Sequence, residues 1–96
     1  MKNTIEVHVK KEHIIAAKDC KRNIIFNCAV AVALQDQFDD PKAHIGYSRA
    51  YIHGVQYLPS TEEDRVLLKD FIWEFDKLSP EERAGLDEIK FGMTQV

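Results

Sequence analysis

Cys28-Ala29-Val30-Ala31-Val32-Ala33-Leu34 carries no polar side chain, and how this stretch is read decides the fold. As a buried strand it would place the middle of the chain inside a sheet. As a helix it would have no solvent face for about two turns and would sit centrally, packed closely against a sheet or other helices. Periodicity does not choose, because either structure can be apolar all round. Composition does: the alanines and the following Gln35-Asp36-Gln37 favour helix. Asn27 is a suitable N-cap. Asp39-Asp40-Pro41 supplies the stop, since proline removes a donor and restricts the residue before it. A helix is therefore expected from Cys28 to about Phe38.

Toward the N-terminus, Ile5, Val7 and Val9 alternate with Glu6, His8 and Lys10, the pattern of a strand with one buried face. Glu12 to Asp19 reads as a short helix with Ile14, Ile15 and Ala17 inward. Cys20 to Phe26 mixes Lys21, Arg22 and Asn23 with apolar residues and fits either a loop or a helical turn.

Toward the C-terminus, residues 43–58 read as antiparallel strands. Ile45 and Tyr47 share one parity and Ala50 and Ile52 the other, which calls for a bulge or tight turn near Ser48-Arg49. His53-Gly54 fits a two-residue hairpin turn with glycine at positive φ. Ser60-Thr61-Glu62-Glu63 reads as a capping box with Ser60 as N-cap, opening a helix to about Lys77. Ser79-Pro80-Glu81-Glu82 is a second box with proline at its first helical position, worth a turn or two. Ile89, Phe91 and Met93 alternate as a last strand. The order β-α-α-β-β-α-β describes an α+β fold, helices packed on an antiparallel or mixed sheet, as a single domain over residues 1–96. No internal repeat, linker or low-complexity tract interrupts it.

The helix opened by the Ser60 box has a second feature. At about 100° per residue, Leu68, Phe71, Ile72, Phe75 and Leu78 form one apolar stripe. Val66 and the single tryptophan, Trp73, are seven apart and stack on roughly the opposite face, beside Lys69, Asp70 and Lys77. Phe71 and Phe75 are expected in the core. Val66 and Trp73 should contact something else, either another part of the chain or a partner.

Composition narrows the alternatives. Ninety-six residues with 45% hydrophobic content make an ordered domain. A chain of this size buries only about two thirds of its unfolded surface, so a homodimer would add stability. No apolar run approaches the roughly 20 residues that span a bilayer. Met1-Lys2-Asn3-Thr4 leads straight into strand alternation, not a signal-peptide core, so a cytoplasmic protein is expected. The net charge of −3 is uneven: residues 1–35 hold six basic and three acidic side chains, residues 36–96 seven and thirteen. Lys10, Lys11, Lys18, Lys21 and Arg22 make a small basic group, but the acidic remainder would repel a long duplex, which argues against nucleic acid. Glu62, Glu63, Asp64, Asp70, Glu74, Asp76, Glu81 and Glu82 read first as a solvated helix surface whose charges favour its N-terminus, and second as a surface suited to a basic partner.

Chemistry is harder to place. Seven residues separate Cys20 from Cys28, and eight separate His44 from His53. Zinc sites use closer pairs, so no metal or other cofactor is expected. Cys28 would feel the positive end of its helix, and His44 or His53 could act as its base, a candidate thiol or ligand site that no spacing demands. A Cys20–Cys28 disulfide is geometrically allowed, though a cytosolic setting favours thiols. Phosphate loops, paired-histidine motifs and serine elbows are lacking, and no residue is assigned a catalytic role.

Several short pieces resemble a group of small uncharacterised proteins of bacteriophages and prophages. They are Ile5-Glu6-Val7, Glu12-His13-Ile14, Asn27-Cys28-Ala29-Val30-Ala31-x-Ala33-Leu34, Ala50-Tyr51-Ile52-His53-Gly54, Leu58-Pro59 and Asp70-Phe71-Ile72-x-x-Phe75-Asp76. This chain departs from that group in having Ala29 after its second cysteine and a wider gap between the cysteines. The resemblance implies a phage-type accessory protein and assigns no activity. The expected function is a non-enzymatic interaction module, a counter-defence factor that binds and inhibits a host protein. A small-ligand binder or enzyme using Cys28, His44 and His53 is the alternative, and a nucleic-acid-binding accessory protein the third.

Overall fold

The structure, a computed structural model, describes residues 3–19, 28–46 and 49–96. Strand β1 (Thr4–Val9) leads into helix α1 (Lys11–Ala17). Helix α2 (Ala29–Gln37) is followed by strands β2 (His44–Gly46), β3 (Arg49–Ile52) and β4 (Val55–Pro59). Helices α3 (Glu62–Lys77) and α4 (Pro80–Arg83) then precede strand β5 (Ile89–Gln95). The strands form one antiparallel sheet in the order β1-β5-β4-β3-β2. The chain is thus a small α+β domain. Its order is fuller than the sequence pattern gave: residues 43–58 hold three strands, and the Ser79 box opens a short fourth helix.

The decisive stretch is a helix. Ala29, Val30, Ala31, Ala33 and Leu34 are all buried, because α2 lies between α1 on one side and β1 and β2 on the other. Small side chains let those three neighbours approach together. Cys28 is the N-cap, without a side-chain capping bond, so the cap lies one residue beyond Asn27, which falls outside the described residues. The stretch Cys20–Phe26, Tyr47, Ser48 and any Cys20–Cys28 pairing also lie outside them.

One face of the sheet carries the core. Val7 and Val9 of β1, Ile45 of β2, Ala50 and Ile52 of β3, and Phe91 and Met93 of β5 are buried there. Gly46 pairs with Arg49 and the buried Ile45 with the buried Ala50, so the expected change of parity falls between β2 and β3. His53 and Gly54 both have positive φ, 50° and 76°, as a two-residue hairpin of the tightly twisted kind requires.

Two local expectations need correction. In α1 it is His13, not Ile15, that joins Ile14 and Ala17 inside; Ile15 is 42% exposed. The N-cap of α3 is Thr61, whose Oγ1 accepts the Asp64 N–H at 3.1 Å. Ser60 belongs instead to the sheet: its N–H donates to the Gly92 carbonyl, and its hydroxyl pairs with that of Thr94 at 2.7 Å. Asp64 accepts the Gly92 N–H at 3.0 Å and the Thr61 hydroxyl at 2.8 Å, tying the start of α3 to β5. These donors hold its carboxyl below the usual range, the Gly92 amide first. A Cβ on Gly92 would come within 3.3 Å of both Asp64 Oδ2 and Ser60 Oγ, so glycine suits this close approach.

Candidate protein interaction surface

Helix α3 sorts its apolar residues as its wheel dictates. Leu68, Phe71 and Phe75 are buried, while Ile72 and Leu78 are half-buried. On the opposite face, Trp73 is 61% exposed and Val66 43%, and Leu67 at the flank is 38% exposed. Lys77 places its Nζ 3.7 Å from the centre of the Trp73 ring, one helical turn on. This cation–π contact steadies the indole and leaves most of it in water. Lys69, Asp70, Glu62, Glu63 and Glu74 are exposed around the two apolar side chains. Arg65 is engaged by Glu62 on its own helix, which lowers the Glu62 carboxyl pKa through that bond. Val66, Lys69, Asp70, Trp73 and Lys77 therefore share one outward strip, an apolar centre in a charged rim.

Cys28, His44 and His53 are not brought together. His53 sits beyond the C-terminal end of α2, its ring Nε2–H donating to the Phe38 carbonyl at 2.8 Å and its backbone N–H to Asp40 Oδ2 at 2.7 Å. Those contacts hold the hairpin turn against the helix end. The His53 N–H, followed by the Lys42 N–H, also lowers the Asp40 pKa. His44 stacks on Tyr51 across the β2–β3 pair, ring centres 4.8 Å apart, and its Nδ1–H donates to the Lys42 carbonyl. Cys28 stands at the other end of α2, a nine-residue helix roughly 13 Å long. It borders a shallow cleft that includes Val30, Phe71, Ile72 and Asp76 but neither histidine.

Three side chains that the sequence pattern passed over anchor the fold. His13 is only 4% exposed; its Nδ1 accepts the Lys10 N–H at 3.0 Å and its Nε2 meets Asp36 Oδ2 at 2.8 Å. Because Nδ1 is an acceptor, the neutral ring carries its proton on Nε2, and that N–H donates a hydrogen bond to the Asp36 carboxylate, whose pKa falls through that bond. Glu12, His13 and Asp36 have ligand-like spacing, yet a cation at Nε2 would need a ring with its proton on Nδ1, where the Lys10 N–H already points. Arg83 is buried, with Nε donating to the Phe75 carbonyl at 2.6 Å, Nη1 to the Lys18 carbonyl at 2.7 Å, and its guanidinium over the Phe75 ring. It ties the end of α3 to the residue following α1. Glu88 accepts the Lys11 N–H at 2.7 Å, capping α1 from a distant part of the chain, and its pKa is lowered mainly by that amide.

Among the described residues no helix is long and apolar enough to cross a membrane. Compared with known proteins, the chain matches no family model, no curated protein and no solved structure.

Proposed function

We propose that the protein is a non-enzymatic protein–protein interaction module that engages its partner through the outward strip of α3. The observation that carries this reading is Trp73: the one tryptophan of the chain is 61% exposed beside Val66, on the face turned away from the core. Tryptophan is the residue most enriched in binding hot spots, and a preset rotamer lowers the ordering cost of using it. The exposed carboxylates of Glu62, Glu63, Asp70 and Glu74 favour a partner with a basic rim. Together with the resemblance to small phage and prophage proteins, this supports a cytoplasmic counter-defence factor that binds and inhibits a host protein.

The test is capture from a bacterial host lysate by the immobilised protein, with Trp73→Ala alongside. A host protein retained by the unaltered chain and released by the variant, with weaker retention as salt rises, is the expected outcome. Equal retention by both chains sinks the proposal. Size-exclusion chromatography with light scattering separates the second occupant of the same strip: a homodimer that Trp73→Ala turns into a monomer assigns the face to another copy of the chain.

A further inference from the structure

Strand β1 is an edge of the sheet, and an edge presents backbone groups that a further strand could take. In an antiparallel strand these groups alternate between the two sides. The Glu6 carbonyl and the His8 N–H point away from β5, and one side chain meets both. Gln37, the last residue of α2, accepts the His8 N–H on Oε1 at 3.1 Å and donates from Nε2 to the Glu6 carbonyl. A glutamine amide offers the donor and acceptor of a peptide unit. Gln37 therefore occupies the middle of the edge as a one-residue stand-in for a neighbouring strand.

The strand beneath that amide is complementary to itself. When Thr4-Ile5-Glu6-Val7-His8-Val9-Lys10 is laid antiparallel on a copy of itself about Val7, Val7 stands opposite Val7 and Ile5 opposite Val9 on the core side, where Val7 and Val9 are already buried by their own fold. On the other side Glu6 stands opposite His8, and Thr4 opposite Lys10. An acid opposite a histidine is a favourable cross-strand pairing, and His8, whose Nε2 lies 3.3 Å from Glu88 Oε1 of its own chain, would stand between the two carboxylates. We propose that the outer edge of β1 is a strand-addition site held shut by the Gln37 amide, and that the strand it takes once the amide is withdrawn is β1 of a second copy. The site is distinct from the α3 strip and stands whether or not that strip binds a partner.

The experiment uses the full chain carrying Trp73→Ala, so that association through α3 does not contribute. Gln37→Met keeps helix propensity and most of the bulk while removing the amide. In sedimentation equilibrium it should move from monomer to dimer or larger species as concentration rises, and adding Glu6→Lys, a lysine on the edge opposite His8, should restore the monomer. A Gln37→Met chain with unchanged circular dichroism that stays monomeric over the same range overturns the proposal. Association that Glu6→Lys leaves intact overturns it as well, by removing β1 as the joining strand. Amide exchange on the unaltered protein reads the closed edge without any variant having to fold. The His8 N–H should exchange at least about fivefold more slowly than an unbonded edge amide, as one net hydrogen bond implies, and exchange at the unbonded rate counts against a closed edge.

Discussion

Helices α2 and α3 both carry apolar residues around more than one face, yet they stand in opposite surroundings. In α2 the extra apolar residues are alanines and valines, and neighbouring elements bury all of them except the half-buried Val32. In α3 the core stripe is built from Leu68, Phe71 and Phe75, while Val66, Leu67 and Trp73 remain outside. The difference lies in side-chain size and spacing. Small residues let other elements close in on a helix, whereas the Trp73 ring, seven residues from Val66 on the outer face of α3, stays 61% exposed with Lys77 over it. An apolar residue off the core stripe thus means central position in one helix and an exposed surface in the other.

That contrast can be broken first at the core. Phe75→Ala removes a ring that is 1% exposed and carries the Arg83 guanidinium on its face. It should cost about 3–5 kcal/mol in urea unfolding; a loss under about 1 kcal/mol would mean that α3 is not docked through this stripe. Ala31→Leu tests the tight surroundings of α2 from the other direction. Added bulk at a fully buried alanine should cost about 1–3 kcal/mol, and a neutral result would show that α2 has slack around it.

The next effect is smaller and depends on pH. Asp64→Ala removes the carboxylate that joins the start of α3 to β5 and should cost about 1–2 kcal/mol at neutral pH. The Asp64 pKa is lower in the folded chain than in the unfolded one, so the unfolded chain binds more protons in acid. Its contribution is complete above the ordinary aspartate value of about 3.9 and drains away as pH falls through the lower folded value. Asp36, Asp40, Glu62, Glu82 and Glu88 shift in the same direction. Urea midpoints should therefore fall steadily from about pH 5 to about pH 2, less steeply in Asp64→Ala. A flat profile would contradict the hydrogen bonds that set these shifts.

The smallest effect on stability is expected where the effect on binding is largest. Trp73→Ala should change unfolding by no more than about 0.5 kcal/mol, as for an exposed side chain, while abolishing partner capture. A loss of several kcal/mol would instead give Trp73 a part in holding the fold.

Much of this architecture was legible because it is local. Alternation in Ile5–Val9 and Ile89–Met93, the turn at His53-Gly54 and the stripe of α3 are written within a few neighbouring residues each. The exposed strip on α3 came from the same arithmetic. What stayed hidden depends on groups far apart in the chain. Ser60 and Thr61 are both competent caps, and only the arrival of Gly92 and Thr94 decides that Ser60 serves the sheet. His13 looks like an ordinary helical residue until Asp36 stands opposite it. Arg83 reads as a solvated charge on a four-residue helix, although the carbonyls it holds belong to Phe75 and Lys18. Gln37 in the sequence speaks only for helix, and its bonds to β1 appear once α2 lies across that strand. No periodicity announces such pairings.

The place of β5 has a consequence for how the chain acquires its shape. It is the last of the five strands to leave the ribosome, yet it lies between β1 and β4 and joins both. Until it emerges, β1 has no ladder to enter, and Gln37 has only an isolated segment to touch. The α1–α2 pair and the β2–β3–β4 meander can assemble from nearby residues, but the pairing of Thr4 with Thr94 spans almost the whole chain. Closing so long a loop is the slow, entropically costly kind of step. Folding of this domain should therefore finish only once β5 is available, with the strand insertion that turns two local pieces into one sheet.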